Sequence, residues 1–174
     1  MAPDILLSEL ILRSVRETAA FGAALAPALQ AGDVILLEGD VGAGKTHLAR
    51  AIIRARLAAA GKEEEDIPSP TFTLVQTYDA GSCEIWHADL YRVGDPAECY
   101  ELGLPDAFDT AVCLVEWPEA LAEARPENAL VLHLEMLPEA GSRRLRARGP
   151  EARWAGPVAR ARRLAGPDTA SPGK

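Results

Sequence analysis

The chain has 174 residues, 48% of them hydrophobic and 25% charged, which is the size and composition of one globular domain with its own core. Its formal charge of −8 and its pI near 4.9 argue against a free-standing nucleic-acid binder, because such proteins gain affinity by neutralising phosphates with Lys and Arg; any contact with RNA is expected through a partner. No run approaches the roughly 20 apolar residues that span a bilayer, and Met1-Ala2-Pro3-Asp4 lacks the basic start of a secretory signal, so a cytoplasmic protein without membrane contact is expected.

Cys83, Cys99 and Cys113 are too scattered for a metal knuckle and odd in number, so they read as reduced structural thiols. Net negative charge would also repel an anionic ligand. Screening over about 8 Å at physiological salt leaves that question to the few groups that touch the ligand.

In chain order, Phe21, Leu25 and Leu29 recur at helical spacing within Glu17–Gln30, and Pro27 weakens the last turn of that helix. Val34-Ile35-Leu36-Leu37 is a continuous apolar run between Asp33 and Gly39, which suits a strand buried on both faces. From residue 45 to 60, Leu48, Ile52 and Leu57 oppose Arg50 and Arg54, predicting an amphipathic helix that ends at Gly61. Glu63-Glu64-Glu65-Asp66 is expected to be a solvated surface loop.

Alternation over Thr71–Tyr78 predicts a strand, with Phe72, Leu74 and Tyr78 on one face; Asp79-Ala80-Gly81-Ser82 reads as a turn and Cys83–Tyr91 as the antiparallel partner. Val112–Val115 and Leu130–Leu134 are two further strands, separated by a helical stretch beginning near Pro118. The Arg-rich tail, with Arg143, Arg144, Arg146 and Arg148, suggests a last edge strand. The expected organisation is one domain over residues 1–150, then a short C-terminal helix and a disordered tail over 151–174, with disorder after Gly166.

The sharpest local signal is Gly39-Asp40-Val41-Gly42-Ala43-Gly44-Lys45-Thr46, which fits G-x-x-x-x-G-K-S/T between a buried strand and a helix, the context a P-loop requires. Gly42 and Gly44 let successive backbone N–H groups point inward as an anion nest, and the helix start adds its dipole. Lys45 brings a point charge to the β- and γ-phosphates, and the Thr46 hydroxyl is a Mg²⁺ ligand. Asp89 and Glu116 end predicted strands, where an α/β sheet presents ligands, and so are candidates for the ion. His87 lies on the same strand face as Asp89 but reads more simply as structural. These features imply an α/β fold, a P-loop NTPase-like sandwich with a mixed, mostly parallel sheet and an inserted antiparallel hairpin.

Beyond the phosphate loop, Ser69-Pro70-Thr71-Phe72-Thr73-Leu74-Val75, His87-Ala88-Asp89-Leu90-Tyr91-Arg92 and Val115-Glu116-Trp117-Pro118 follow at intervals that together resemble the TsaE family over roughly residues 5 to 150. The resemblance implies a Mg-dependent ATPase with ATP and Mg²⁺ as ligands, weak alone and stimulated by the partner proteins TsaB and TsaD. It would be required for threonylcarbamoyl modification of adenosine 37 in tRNAs reading A-starting codons, without itself being the threonylcarbamoyl transferase. tRNA would be met only through the complex.

The same resemblance assigns Ser69–Thr73 to a nucleotide-responsive switch, with Thr71 at the nucleotide, and Asp89 and Glu116 to the ion and the hydrolytic water. It implies that Lys45, Asp89 and Glu116 act in hydrolysis and that Thr46, Asp89 and Glu116 serve the metal. Thr18, Asp40, Val41, Gly42, Ala43, Gly44, Lys45, Thr46, Thr71, Trp117 and Arg143 would surround the nucleotide, with Thr18 near adenine. His47 departs from the small or hydroxyl residue that the family carries after the loop Thr. The main alternative is a P-loop small-molecule kinase, which would transfer phosphate only to an added acceptor. A GTP switch would normally carry N-K-x-D, which this sequence lacks.

Overall fold

The computed structural model describes residues 4–62 and 66–166. Among these, the strands β1 (Ile5–Leu12), β2 (Val34–Glu38), β3 (Val75–Asp79), β4 (Glu84–Asp89), β5 (Val112–Glu116), β6 (Leu130–Met136) and β7 (Arg143–Gly149) form one 7-stranded sheet in the order β1-β7-β6-β2-β5-β4-β3. Strands β6, β2, β5 and β4 are mutually parallel; β3 pairs antiparallel to β4, and β7 runs antiparallel between β6 and β1. The fold is α/β, with the mixed, mostly parallel sheet and the inserted hairpin expected from the sequence.

The helices are α1 (Val15–Leu25), α2 (Lys45–Ala59), α3 (Ala97–Glu101), α4 (Leu104–Thr110) and α5 (Glu151–Ala165). Strand β2 sits at the centre because its residues are apolar on both faces. Ile35 and Leu37 point into one core with Phe21 and Leu25 of α1, Leu48 and Ile52 of α2 and Trp154 of α5. Val34 and Leu36 point the other way, to Leu104 and Phe108 of α4 and Leu121. Two cores on opposite faces of one sheet hold the strand ends, and hence the loops that follow them, in fixed positions.

Ser14 caps α1 by accepting the Glu17 N–H at 3.2 Å, and the helix gives way to a 3₁₀ turn at Ala26–Ala28, where Pro27 cannot continue α-helical bonding. Cys99 and Cys113 are buried thiols, and burial pushes the Cys113 thiol up to about 12. Among the described residues no helix is long and apolar enough to cross a membrane.

Three sequence expectations are corrected. Thr71–Leu74 is not strand: the Leu74 N–H donates to the Pro70 carbonyl at 2.7 Å, closing a tight turn, and Leu74 adopts φ 66° so that β3 begins only at Val75. Phe72 is accordingly 85% exposed and does not share a strand face with Tyr78. Second, β7 is an interior strand. The edge is β1, an apolar run interrupted by Ser8 and Glu9; Glu9 of β1 meets Arg146 at 2.6 Å, and Glu135 of β6 meets Arg144 at 3.1 Å. Arg144 and Arg146 are thus rungs of a charge ladder across three strands.

Third, the C-terminal helix is long and belongs to the main core. In α5, Trp154 is fully buried and donates its indole N–H to the Asn128 carbonyl at 2.8 Å. Arg153 pairs with Asp33 and donates to the Ala28 carbonyl at 2.7 Å, tying α5 to the turn before β2. Residue 150 is therefore no packing boundary. The expectations for Glu63–Glu65 and for the chain after Gly166 lie outside the described residues.

Candidate functional site

The phosphate loop leaves the C-terminal end of β2 and enters α2 with no side-chain cap, because the N-cap residue is Gly44 at φ 106°. The first-turn N–H groups of α2 therefore lack the partner a Ser, Thr or Asp would supply, and they face a pocket of about 390 Å³ lined by Gly42, Gly44, Lys45, Thr46, Thr71 and Asp89, among others. At Gly39, φ is 136° and a Cβ would lie 2.3 Å from the Leu134 carbonyl oxygen, so only glycine lets the loop pass this close to β6. Arg143 braces the loop from outside: its Nε donates to the Ala43 carbonyl at 2.7 Å and its Nη2 to the Gly42 carbonyl at 3.2 Å.

Lys45 is 5% exposed and donates from Nζ to the carbonyls of Gly39, at 2.6 Å, and Asp40, at 2.8 Å. The same ammonium lies 4.1 Å from the centroid of the Trp117 ring, which in turn stacks at a tilt on Tyr91 at 4.8 Å. Burial lowers the Lys45 pKa from the ordinary lysine value, opposed by the nearby carboxylates of Glu116, Asp89, Asp40 and Glu119. Trp117 holds φ 57°, a left-handed conformation costing on the order of 1 kcal/mol for a non-glycine residue, and this places its ring over the lysine.

The carboxylates arrive from adjacent parallel strands. Asp89 and Glu116 are register partners at the ends of β4 and β5, 6% and 2% exposed. Thr46 donates its hydroxyl to Glu116 Oε1 at 2.7 Å, so the first turn of α2 and the end of β5 share a bond. Asp89 accepts from the Thr71 hydroxyl at 3.2 Å and from the Tyr91 N–H at 3.0 Å, and Ser69 and Thr71 share a hydrogen bond of 2.8 Å.

Among the described residues no three or more His, Cys, Asp or Glu gather so as to hold a metal by themselves. A donor set of two carboxylates and one hydroxyl beside an anion nest does suit Mg²⁺, which keeps waters and takes its other ligands from phosphates.

The remaining predicted residues fall in two groups. Asp40 contributes its carbonyl to Lys45, Val41 stands 69% exposed at the pocket mouth, and Ala43 buries its methyl while its N–H closes a turn on the Asp40 carbonyl at 3.0 Å. Thr18 is not brought to this pocket: it is buried in α1, and its hydroxyl donates back to the Ser14 carbonyl at 3.4 Å. His47 Nε2 donates to the Val15 carbonyl at 2.8 Å, linking the starts of α1 and α2.

The sequence places His87 on the strand face of Asp89 and reads it as structural; it is fully buried with its Nε2 at 2.7 Å from Glu116 Oε2, while its Nδ1 has no partner among the described residues. What the sequence does not give is the contact with Glu116, because that depends on β4 and β5 aligning in register.

Residues 12–145 match the family described as threonylcarbamoyl adenosine biosynthesis protein TsaE. Relatives named tRNA threonylcarbamoyladenosine biosynthesis protein TsaE include that of Rickettsia bellii, 40% identical over 134 residues covering 77% of this chain and 90% of that protein. Another is that of Treponema pallidum, 33% identical over 128 residues covering 73% and 90%. The crystal structure of YdiB from Bacillus subtilis superposes with a TM-score of 0.70 at 25% identity, covering 94% of this chain and 97% of that one. With the family match spanning the phosphate loop, both carboxylate-bearing strands and the start of β7, the chain belongs to the TsaE family.

Proposed function

We propose that the protein binds ATP with Mg²⁺ and hydrolyses it in support of tRNA threonylcarbamoyladenosine formation, working with TsaB and TsaD and reaching tRNA through them. The observation that carries the nucleotide part is the Thr46–Glu116 bond of 2.7 Å beside an uncapped helix start and a buried lysine. The tRNA part rests on family membership and on the names of the relatives.

In this reading the N–H groups of Gly42–Thr46 cradle the phosphates, and Lys45 exchanges its carbonyl partners for phosphate oxygens. Bound Mg²⁺ would neutralise charge on the β- and γ-phosphate oxygens, with Thr46 and Glu116 as its protein-side anchors. Asp89, joined to Thr71, orients the water that attacks the γ-phosphate and accepts its proton as phosphate leaves ADP. Trp117 and Tyr91 close the lysine's side of the pocket against solvent, which strengthens charge interactions within it. The 85% exposed Phe72 belongs to the turn that carries Thr71, so a partner surface touching that turn would act directly on Asp89.

The test is phosphate release from ATP by the protein alone and with TsaB, TsaD and tRNA, using Lys45→Ala as control and no acceptor substrate. Release that rises with the partners and disappears in the variant supports the proposal. ATP binding that ignores the partners would overturn the tRNA role, and phosphate transfer only to an added small-molecule acceptor would replace hydrolysis by a kinase activity.

A further inference from the structure

We infer that His87 is a positioning residue that locks the Glu116 carboxylate through a single fixed N–H, so that the opposite carboxylate oxygen is presented to Thr46. The kinetic side of this inference rests on the hydrolysis reading above; its structural side does not.

Each oxygen of Glu116 has one short bond, and the two donors come from different elements. Oε1 accepts from Thr46 at the start of α2 at 2.7 Å, and Oε2 is met by His87 of β4 at 2.7 Å. A carboxylate held at both oxygens loses rotation about its terminal bond, so the directions of its remaining lone pairs are fixed. His87 itself is fully buried on a β4 face whose neighbour Ile85 is pure core. An imidazole in such a place costs free energy unless its polar atoms are used, and Nε2 is used on Glu116.

The ring also carries directional information. A carboxylate accepts and does not donate, so the proton on this contact sits on Nε2; Nδ1 is buried with no partner among the described residues, and a second N–H there would be left unsatisfied. The arrangement therefore selects the Nε2–H tautomer, the role that outer partners play in fixing ligand side chains at metal sites. An apolar residue of similar volume would fill the same space without holding Glu116.

The experiment uses the full chain in three forms, wild type, His87→Gln and His87→Leu. The glutamine amide nitrogen reaches the position of Nε2, whereas leucine keeps the volume and drops the donor. Long-range ¹H–¹⁵N spectra of the histidine side chains, assigned by loss of the His87 signal in the variants, read the tautomer in the nucleotide-free protein. An Nε2–H ring is expected, and an Nδ1–H or tautomer-averaged ring would overturn the inference.

In the partner-stimulated hydrolysis assay, His87→Leu should lower kcat by about 10- to 100-fold, with KM for ATP changed little. His87→Gln should recover most of the loss. Wild-type turnover by His87→Leu, or an equal loss in His87→Gln when both variants melt with the wild type, would overturn it. Should leucine prevent folding, the glutamine variant and the tautomer still decide. Absence of hydrolysis by the wild type would defeat the functional reading instead and leave the tautomer spectrum to decide the role of His87.

Discussion

Thr71 donates its hydroxyl to Asp89 at 3.2 Å, joining the tight turn over residues 70–74 to the last residue of β4. The bond spans eighteen residues of sequence and is reinforced by the Asp89 N–H, which donates to the Leu74 carbonyl at 2.9 Å. The exposed Phe72 and the buried carboxylate are thereby parts of one mechanical unit. Replacing Thr71 by Val keeps the shape and removes the hydroxyl. Phosphate release is expected to drop severalfold, while ATP affinity and melting temperature stay near wild type; an unchanged rate in the partner complex would detach the turn from the chemistry.

Lys45→Ala removes the buried cation of the phosphate loop. Charge-assisted bonds of this kind are worth roughly 1.5–3 kcal/mol, so ATP affinity measured by calorimetry should fall about tenfold or more. Affinity within twofold of wild type would mean that the backbone nest alone holds the nucleotide.

Gly39→Ala confronts both φ 136° and a Cβ 2.3 Å from the Leu134 carbonyl oxygen. Backbone on both sides must shift, and a loss of roughly 2 kcal/mol or more is expected. Thermal unfolding should report it as a decrease of roughly 4–8 °C for a chain of this size. Gly61→Ala is a useful comparison, because its Cβ would meet nothing within 4 Å and only the φ of 69° opposes it.

Trp154→Ala empties a fully buried site in α5 and abandons the bond to the Asn128 carbonyl. Such truncations cost about 3–5 kcal/mol, and denaturant unfolding should remain a single transition with a lower midpoint. A separate early transition with the main one unmoved would mean that α5 is an appendage after all.

The three thiols should differ in reactivity. Cys83 is partly exposed beside Arg56 Nη2 at 3.6 Å, whereas Cys99 and Cys113 are buried and burial raises both of their pKa values, Cys113 to about 12. Alkylation at pH 8 without denaturant should modify Cys83 alone, with mass spectrometry giving the sites; rapid labelling of Cys113 would contradict the packing of β5.

Much of this was legible because it is encoded over short spans. The glycine loop, the apolar run Val34–Leu37 and the amphipathic helix after it each carry their signal within a few residues, so strand, loop, helix and nest could be read together. Asp89 and Glu116 were visible as acids ending strands. The turn at 70–74 was not, because Thr71–Tyr78 alternates as a strand would; only the Asp89 and Leu74 contacts make the tight turn preferable. The place of β7 was hidden for a related reason: whether a strand lies at an edge depends on β1, more than a hundred residues away in sequence.

The amino-acid sequence by itself determined the phosphate loop, the α/β class and the family motifs, since these follow from local backbone freedom and hydrophobic period. Tertiary structure alone decided that Glu116 is gripped from one side by Thr46 and from the other by His87, that Trp117 stands over Lys45, and that Arg143 braces the loop. Those contacts join residues brought together only when parallel strands align in register and two cores lock them, so their geometry is a property of packing and not of any segment.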